Sequence, residues 1–396
     1  MSETSESGAA ASGTALFALG FRPFFLLAML SAALLIAPWT LVHRGALAFH
    51  TYYGALPWHA HEMMFGYTTA VVAGFLLTAV SRWTDRETAR GGLLAALALL
   101  WLAGRAAPYL QGLLPNPVIA ALDLSFLPAL AAVLAIPLVR SGAGRNLIFV
   151  PVLLLLFAAN GLSHAGPLSG ALATSRTGLY LGVDIVLLMI AIIGGRVIPF
   201  FTERALAGAA PRRWTWLEAI AIGSVVAFAL ARAVSAPAPV VGGVAAVAAC
   251  AHALRLAGWH ARGVWSVPLL WVLFLGYAWM VIGFALTAST ALGPTPSFLA
   301  LHAFTTGAIG VMTLGMMARV SLGHTGRPLK PAGATVAAFA LINLSAALRV
   351  LAPLAFPIRT ADLIALSALL WVAAFALALT AYAGILVRPR ADGLPG

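Results

Sequence analysis

Charge is scarce in this 396-residue chain: 9% of its residues are Asp, Glu, Lys or Arg, against about 25% in soluble globular domains. That scarcity, with 62% hydrophobic residues and a mean hydropathy of +0.99, excludes a water-soluble body. Cysteine is almost absent. Cys250 stands alone, so neither an internal disulfide nor a thiolate metal cluster can form, and any metal must be held by His, Met, carboxylate or carbonyl. Also missing are a nucleotide signature, a Ser-His-Asp arrangement and a His-Glu-x-x-His zinc motif; His61-Glu62 has no second histidine at the needed spacing. Basic residues outnumber acidic ones by 23 to 11, yet they fall singly between apolar runs and form no patch. Nucleic acid is therefore excluded as a partner, and the excess reads as membrane topology. The opening MSETSESGAAASGT lacks the basic segment of a cleavable signal and predicts a disordered cytoplasmic tail over residues 1–15.

What is present is a series of apolar runs of membrane-spanning length. A window of about 19 residues places spans near 22–42, 60–80, 91–109, 118–139, 146–164, 178–201, 215–234, 239–258, 266–290, 298–318, 332–352 and 361–387. The chain is thus an all-α polytopic membrane protein of about twelve helices, forming one transmembrane domain over 16–390 with a short tail at 391–396. Pro, Gly and Arg clusters such as Pro115-Asn116-Pro117 and Pro211-Arg212-Arg213 mark the turns. Fifteen Lys and Arg fall in the loops after even-numbered spans and the C-terminal tail, against six after odd-numbered spans. The positive-inside rule then puts both termini in the cytoplasm, and the starts of even-numbered helices on the opposite face. The cytoplasmic ends of helices 2, 6 and 10 resemble one another around Arg82, Arg196 and Arg319. This repeat divides the chain into three units of four helices and brings helices 2, 6 and 10 to a common centre.

Ionisable groups inside a span are costly and mark candidate functional sites. Helix 2 opens with Trp58-His59-Ala60-His61-Glu62-Met63, helix 5 ends at Asn160-Gly-Leu-Ser-His164, helix 6 holds Asp184, and helix 10 opens with His302. The topology gathers these in the outer part of the membrane, beside His43 and His50. Neutral imidazole is a common metal ligand and an axial haem ligand, so the set favours haem or metal ligation. His59 and His61 are about 200° apart on a straight helix and cannot serve one iron; one faces a cofactor and the other a second metal or a neighbouring helix. His43 and His50 read as interfacial residues, and Met63, Met64, Met312, Met316 and Met317 as gap-filling core before thioether ligands. Glu62 and Asp184 are the proton-handling candidates, Asp184 having as its structural alternative a bond to a neighbouring Ser, Thr or Arg, Arg22 among them. Arg82, Arg196, Glu203, Arg319, His324 and Arg327, with His252 and His260, read as snorkelling and ion-paired helix ends.

Several of these segments, in this order and spacing, resemble the NnrS family: Gly20-Phe-Arg-Pro-Phe-Phe25, Trp58-His-Ala-His-Glu-Met63 with Phe65-Gly66, Gly74-Phe-Leu-Leu-Thr-Ala79, Gly195-Arg-Val-Ile-Pro-Phe200, and His302-Ala-Phe-Thr-Thr-Gly-Ala-Ile-Gly310 continuing to Arg319-Val-Ser-Leu-Gly-His-Thr-Gly-Arg327. The resemblance implies a bacterial inner-membrane protein carrying haem, of b type, and copper, and acting in the response to nitric oxide during denitrification or nitrosative stress. Three four-helix units with histidines on helices 2 and 10 are also similar to the haem-copper oxidases and nitric oxide reductases. In those proteins, however, helix 10 supplies two histidines and helices 6 and 7 the copper ligands, whereas here the pair is on helix 2. The expected sites are haem between His302 and either His59 or His61, and copper on the remaining helix-2 histidine with His164. The ligand is nitric oxide or an iron-nitrosyl species. Reduction would need an electron donor that the sequence does not name. A transporter of metal, haem or iron-nitrosyl, and a membrane nitric oxide sensor, are the alternatives.

Overall fold

The computed structural model of the protein describes residues 14–293, 295–394 and 396. The tail expected over 1–15 lies almost wholly outside the described residues. Twelve helices are long and apolar enough to cross a membrane, and the described residues contain no strand. In chain order they are α1 (Phe21–His43), α2 (Ala55–Thr84), α3 (Gly91–Leu110), α4 (Asn116–Arg140), α5 (Gly144–Ser169), α6 (Leu172–Ala205), α7 (Thr215–Ala233), α8 (Ala238–Trp259), α9 (Pro268–Leu292), α10 (Ser297–His324), α11 (Gly333–Ala355) and α12 (Pro357–Val387). The protein is a multi-pass membrane protein. Proline in the first turn starts α4, α8 and α9, where its missing N–H costs no hydrogen bond. Several helices outrun the apolar windows read from the sequence. In α6 the helix continues through Thr174-Ser175-Arg176 at one end and Thr202-Glu203-Arg204 at the other, because polar side chains limit the hydropathy signal without breaking the backbone ladder.

Each helix packs on its sequence neighbours, and α1 closes the circuit by packing on α12. Inside this ring α2 touches α6 and α10, and α6 touches α10. Burial agrees: the most apolar windows of α2, α6 and α10 are 78%, 61% and 67% buried, and α9 at 61% is the only other above 44%. The centre that the arginine repeat pointed to is therefore built from the three expected helices.

Two of these central helices are not regular. Glu62–Thr68 in α2 and Ala303–Val311 in α10 form wide π-helical turns, each beginning directly after a histidine, His61 or His302. A glycine follows each of these histidines five residues on, at Gly66 and Gly307. Such turns release carbonyls from the ordinary ladder and recur at functional sites. Hydroxyls take them up: Thr68 Oγ1 donates to the Met63 carbonyl at 2.8 Å, Thr69 Oγ1 to that of Phe65 at 2.5 Å, and Thr305 Oγ1 to that of Leu301 at 3.0 Å. At Gly66 a Cβ would stand 3.0 Å from Glu62 Oε2 and 3.1 Å from Arg105 Nη1, so the absent side chain lets an ion pair lie against the backbone.

Candidate cofactor cavity and metal centre

The helix ends that carry most of the histidines hold two separate constellations. The first is a cavity of about 580 Å³ bounded by α1, α2, α6, α10, α11 and α12, within the size range of cofactor sites. Its wall is mostly aliphatic and aromatic, including Trp39, Met63, Met64, Tyr67, Ile309 and Trp371, and its polar groups are few: His59, His302, Arg176, Arg349 and some hydroxyls. His59 stacks on Trp39 at 4.2 Å between centroids, and the Arg349 guanidinium lies 5.4 Å from the same indole. The His302 Nδ1–H donates to the Phe298 carbonyl at 2.7 Å, which leaves Nε2 as the lone-pair nitrogen; Arg349 Nη2 donates to it at 2.9 Å. A ring nitrogen fixed by a backbone carbonyl is the usual support of a ligating imidazole.

The second constellation is buried between α2, α3, α4 and α5. His61, Asp123 and His164 present one donor atom each, all within 4.8 Å of one another. Asp123 Oδ2 lies 3.3 Å from His61 Nε2 and 3.0 Å from His164 Nε2, and all three side chains are at most 1% exposed. Asn160 donates to Asp123 Oδ2 at 2.8 Å and turns its Oδ1 to His61 Nε2 at 2.9 Å. The loop before α2 adds Tyr53, whose hydroxyl is 2.8 Å from His61 Nε2 and whose ring stacks on that imidazole at 4.1 Å. It also adds Tyr52, whose hydroxyl meets His164 Nδ1 at 3.2 Å. Burial pushes the Tyr52 phenol up to about 12, so it keeps its proton at neutral pH. Arg105 from α3 pairs with both carboxylates, with Glu62 Oε1 at 3.0 Å and with Asp123 Oδ1. One cation thus spans two buried anions, as charges at this depth require.

The candidate residues are distributed accordingly. His59 and His302 share the cavity; His61, His164 and Glu62 share the cluster. Asp184 belongs to neither. It pairs with an arginine, as its structural alternative supposed, but the arginine is Arg232 of α7 at 2.8 Å; Arg22 donates instead to the carbonyls of Leu386 and Arg388 at 2.9 and 2.7 Å. His252, expected at an exposed helix end, is fully buried and bonds Tyr277 Oη at 2.6 Å, beside the Arg255–Glu218 pair. It is covered because α7 and α9 pack on both sides of α8. Sequence reasoning missed Asp123. The signal was available, since Asp123 is a carboxylate inside the span read at 118–139, the feature that singled out Asp184.

Twelve spanning helices holding a mostly apolar cavity with two histidines and a buried His/Asp/His cluster define a polytopic membrane protein with a candidate cofactor cavity and a candidate metal centre. Residues 15–390 match the NnrS protein family, and the chain belongs to that family. Membership supports a role in the nitric oxide response. No curated protein sequence matches the chain.

Proposed function

We propose that the protein holds haem in the cavity, with His59 and His302 as the axial candidates, and copper at His61 and His164, and that it handles nitric oxide or a nitrosylated iron species at these sites. The observation that carries the reading is that His59 and His302, from different central helices, line one apolar cavity together with the guanidinium groups of Arg176 and Arg349. The donor set fits the group. His302 is held in one tautomer with Nε2 as its lone-pair nitrogen; Arg349, which donates to that nitrogen here, would turn from it for His302 to hold the iron and would then serve, with Arg176, the carboxylates of a flat ligand, while stacking holds the His59 ring. Bound haem supplies an iron that takes a small diatomic ligand. The chain's own residues exclude water with apolar walls, and Glu62 is the acidic group next to the metal centre. Nitric oxide is small and apolar, so lipid offers it no barrier.

The test is the optical spectrum and metal content of protein purified after expression with full haem supply. A Soret band and bound copper are expected, and absence of the Soret band overturns the reading. Consumption of nitric oxide by the detergent-purified protein with an electron donor identifies turnover; uptake of an iron-nitrosyl complex into liposomes without turnover identifies transport in its place.

A further inference from the structure

The His61–Asp123–His164 cluster carries more than an assignment to two histidines. We infer that Asp123 is the third ligand of a mononuclear site whose other ligands are the Nε2 atoms of His61 and His164, and that this site selects a divalent first-row cation, taking copper as Cu²⁺ and admitting Zn²⁺, in preference to Cu⁺. The inference rests on the copper half of the proposed function and is independent of the haem half.

Three observations carry it. The separations of Asp123 Oδ2 from the two imidazole nitrogens, 3.0 and 3.3 Å, are those of donors about 2.1 Å from a shared ion at angles of about 90° to 105°. Both rings turn Nε2 inward and Nδ1 outward. His164 Nδ1 meets the Tyr52 hydroxyl, which can donate or accept and so permits either tautomer. His61 Nδ1 faces Glu62 Oε1 at 3.5 Å, too far for a hydrogen bond but on the side from which a carboxylate supports a ligating imidazole. The third observation is what hydrogen bonding alone leaves undone. His61 Nε2 already meets Tyr53, Asn160 and Asp123, while His61 Nδ1 is buried with no hydrogen-bond partner. An ion on Nε2 moves the ring proton to Nδ1 and gives it a carboxylate to face.

The donor types decide the cation. Two imidazoles and a carboxylate suit divalent copper, zinc or iron, whereas Cu⁺ is selected by thiolate and thioether. Cys250 is the chain's one thiol and is exposed, and the thioethers on this helix, Met63 and Met64, line the cavity. The charges agree: Glu62 and Asp123 against Arg105 leave one uncompensated anion at the centre.

The full-length protein in detergent, stripped of metal, is titrated with Cu²⁺ and followed by electron paramagnetic resonance. One equivalent of a tetragonal signal with coupling to two imidazole nitrogens is expected, and Cu²⁺ should displace Zn²⁺ loaded beforehand, in keeping with the order of affinities of divalent ions. Under reducing conditions a Cu⁺ chelator should remove the metal, whereas a Cu²⁺ chelator of matched strength should not when the sample is oxidised. Asp123→Asn should weaken Cu²⁺ binding at least tenfold, with elution in size exclusion unchanged. Unaltered affinity in Asp123→Asn, or Cu⁺ retained where Cu²⁺ is lost, overturns the inference. If Asp123→Asn does not fold, the wild-type chelator comparison decides alone. Divalent binding in a preparation without a Soret band sinks the haem reading and leaves this one standing; a Soret band with no Cu²⁺ or Zn²⁺ binding does the reverse.

Discussion

His59 and His61 are two residues apart on α2 and belong to different chambers: His59 stacks on Trp39 and lines the cavity, while His61 stacks on Tyr53 inside the metal cluster. The helical twist between them forces this division, and Ala60 is the only residue that separates the two sites along the chain. The effects of single substitutions should therefore separate as well. His59→Ala should remove or shift the Soret band and leave bound copper at the wild-type ratio; His61→Ala should lose copper and retain the Soret band. Parallel optical and metal analyses of both variants check this. Loss of both cofactors in either variant, with elution unchanged, would mean that the chambers are one site.

Arg105 should be a stabilising residue whose importance depends on metal. Among the described residues its guanidinium is the one Lys or Arg cation bonded to Glu62 and Asp123, and removing one partner from a buried ion pair costs about 3–5 kcal/mol. Arg105→Met keeps the stem and removes the charge, so two buried carboxylates face each other uncompensated. The apparent melting temperature in detergent should fall markedly, and added Zn²⁺ should raise it further in the variant than in the wild type, because the ion then supplies the missing positive charge. An equal Zn²⁺ effect in both proteins would separate Arg105 from the metal site.

The fold was legible in the sequence because the bilayer imposes a length and an apolar composition on each span, and twelve spans were read with soft edges. The convergence of α2, α6 and α10 was legible through the repeated arginine segments, and the separation of His59 from His61 through helical periodicity alone. Other features were not. The π-helical turns after His61 and His302 depend on tertiary packing that local propensity does not encode. Asp123 meets His61 and His164 only because α4 and α5 lie beside α2, and Tyr52 and Tyr53 arrive from a loop that hydropathy leaves blank. Asp184 was singled out by the same rule that applied to Asp123, yet its partner is Arg232. Intramembrane charge marks a residue as constrained without saying by what.

Asp184 is accordingly expected to act on stability. Its carboxylate bonds Arg232 Nη1 at 2.8 Å, and the guanidinium lies 4.3 Å from the Tyr180 ring, which joins α6 to α7. Asp184→Asn should lower the apparent melting temperature, by about 1–3 kcal/mol in stability, and leave the Soret band, copper content and nitric oxide consumption within twofold of wild type. A loss of turnover beyond tenfold with the spectrum intact would restore Asp184 as a proton-handling group.

The side of the membrane that the chambers face follows from charge. Arg82, Arg196 and Arg319 lie near one end of the central helices and His59, His61 and His302 near the other, so one experiment fixes both. Basic residues are held on the cytoplasmic side, and the turn after α6 carries Arg212 and Arg213, next to Arg204 at the end of the helix. With Cys250→Ala as background, Gly208→Cys in that turn should react with a membrane-impermeant maleimide only after the cells are opened, whereas Leu47→Cys, in the loop carrying His50, should react in intact cells. The reverse pattern would turn the histidine chambers towards the cytoplasm. The internal geometry of both sites would stand unchanged.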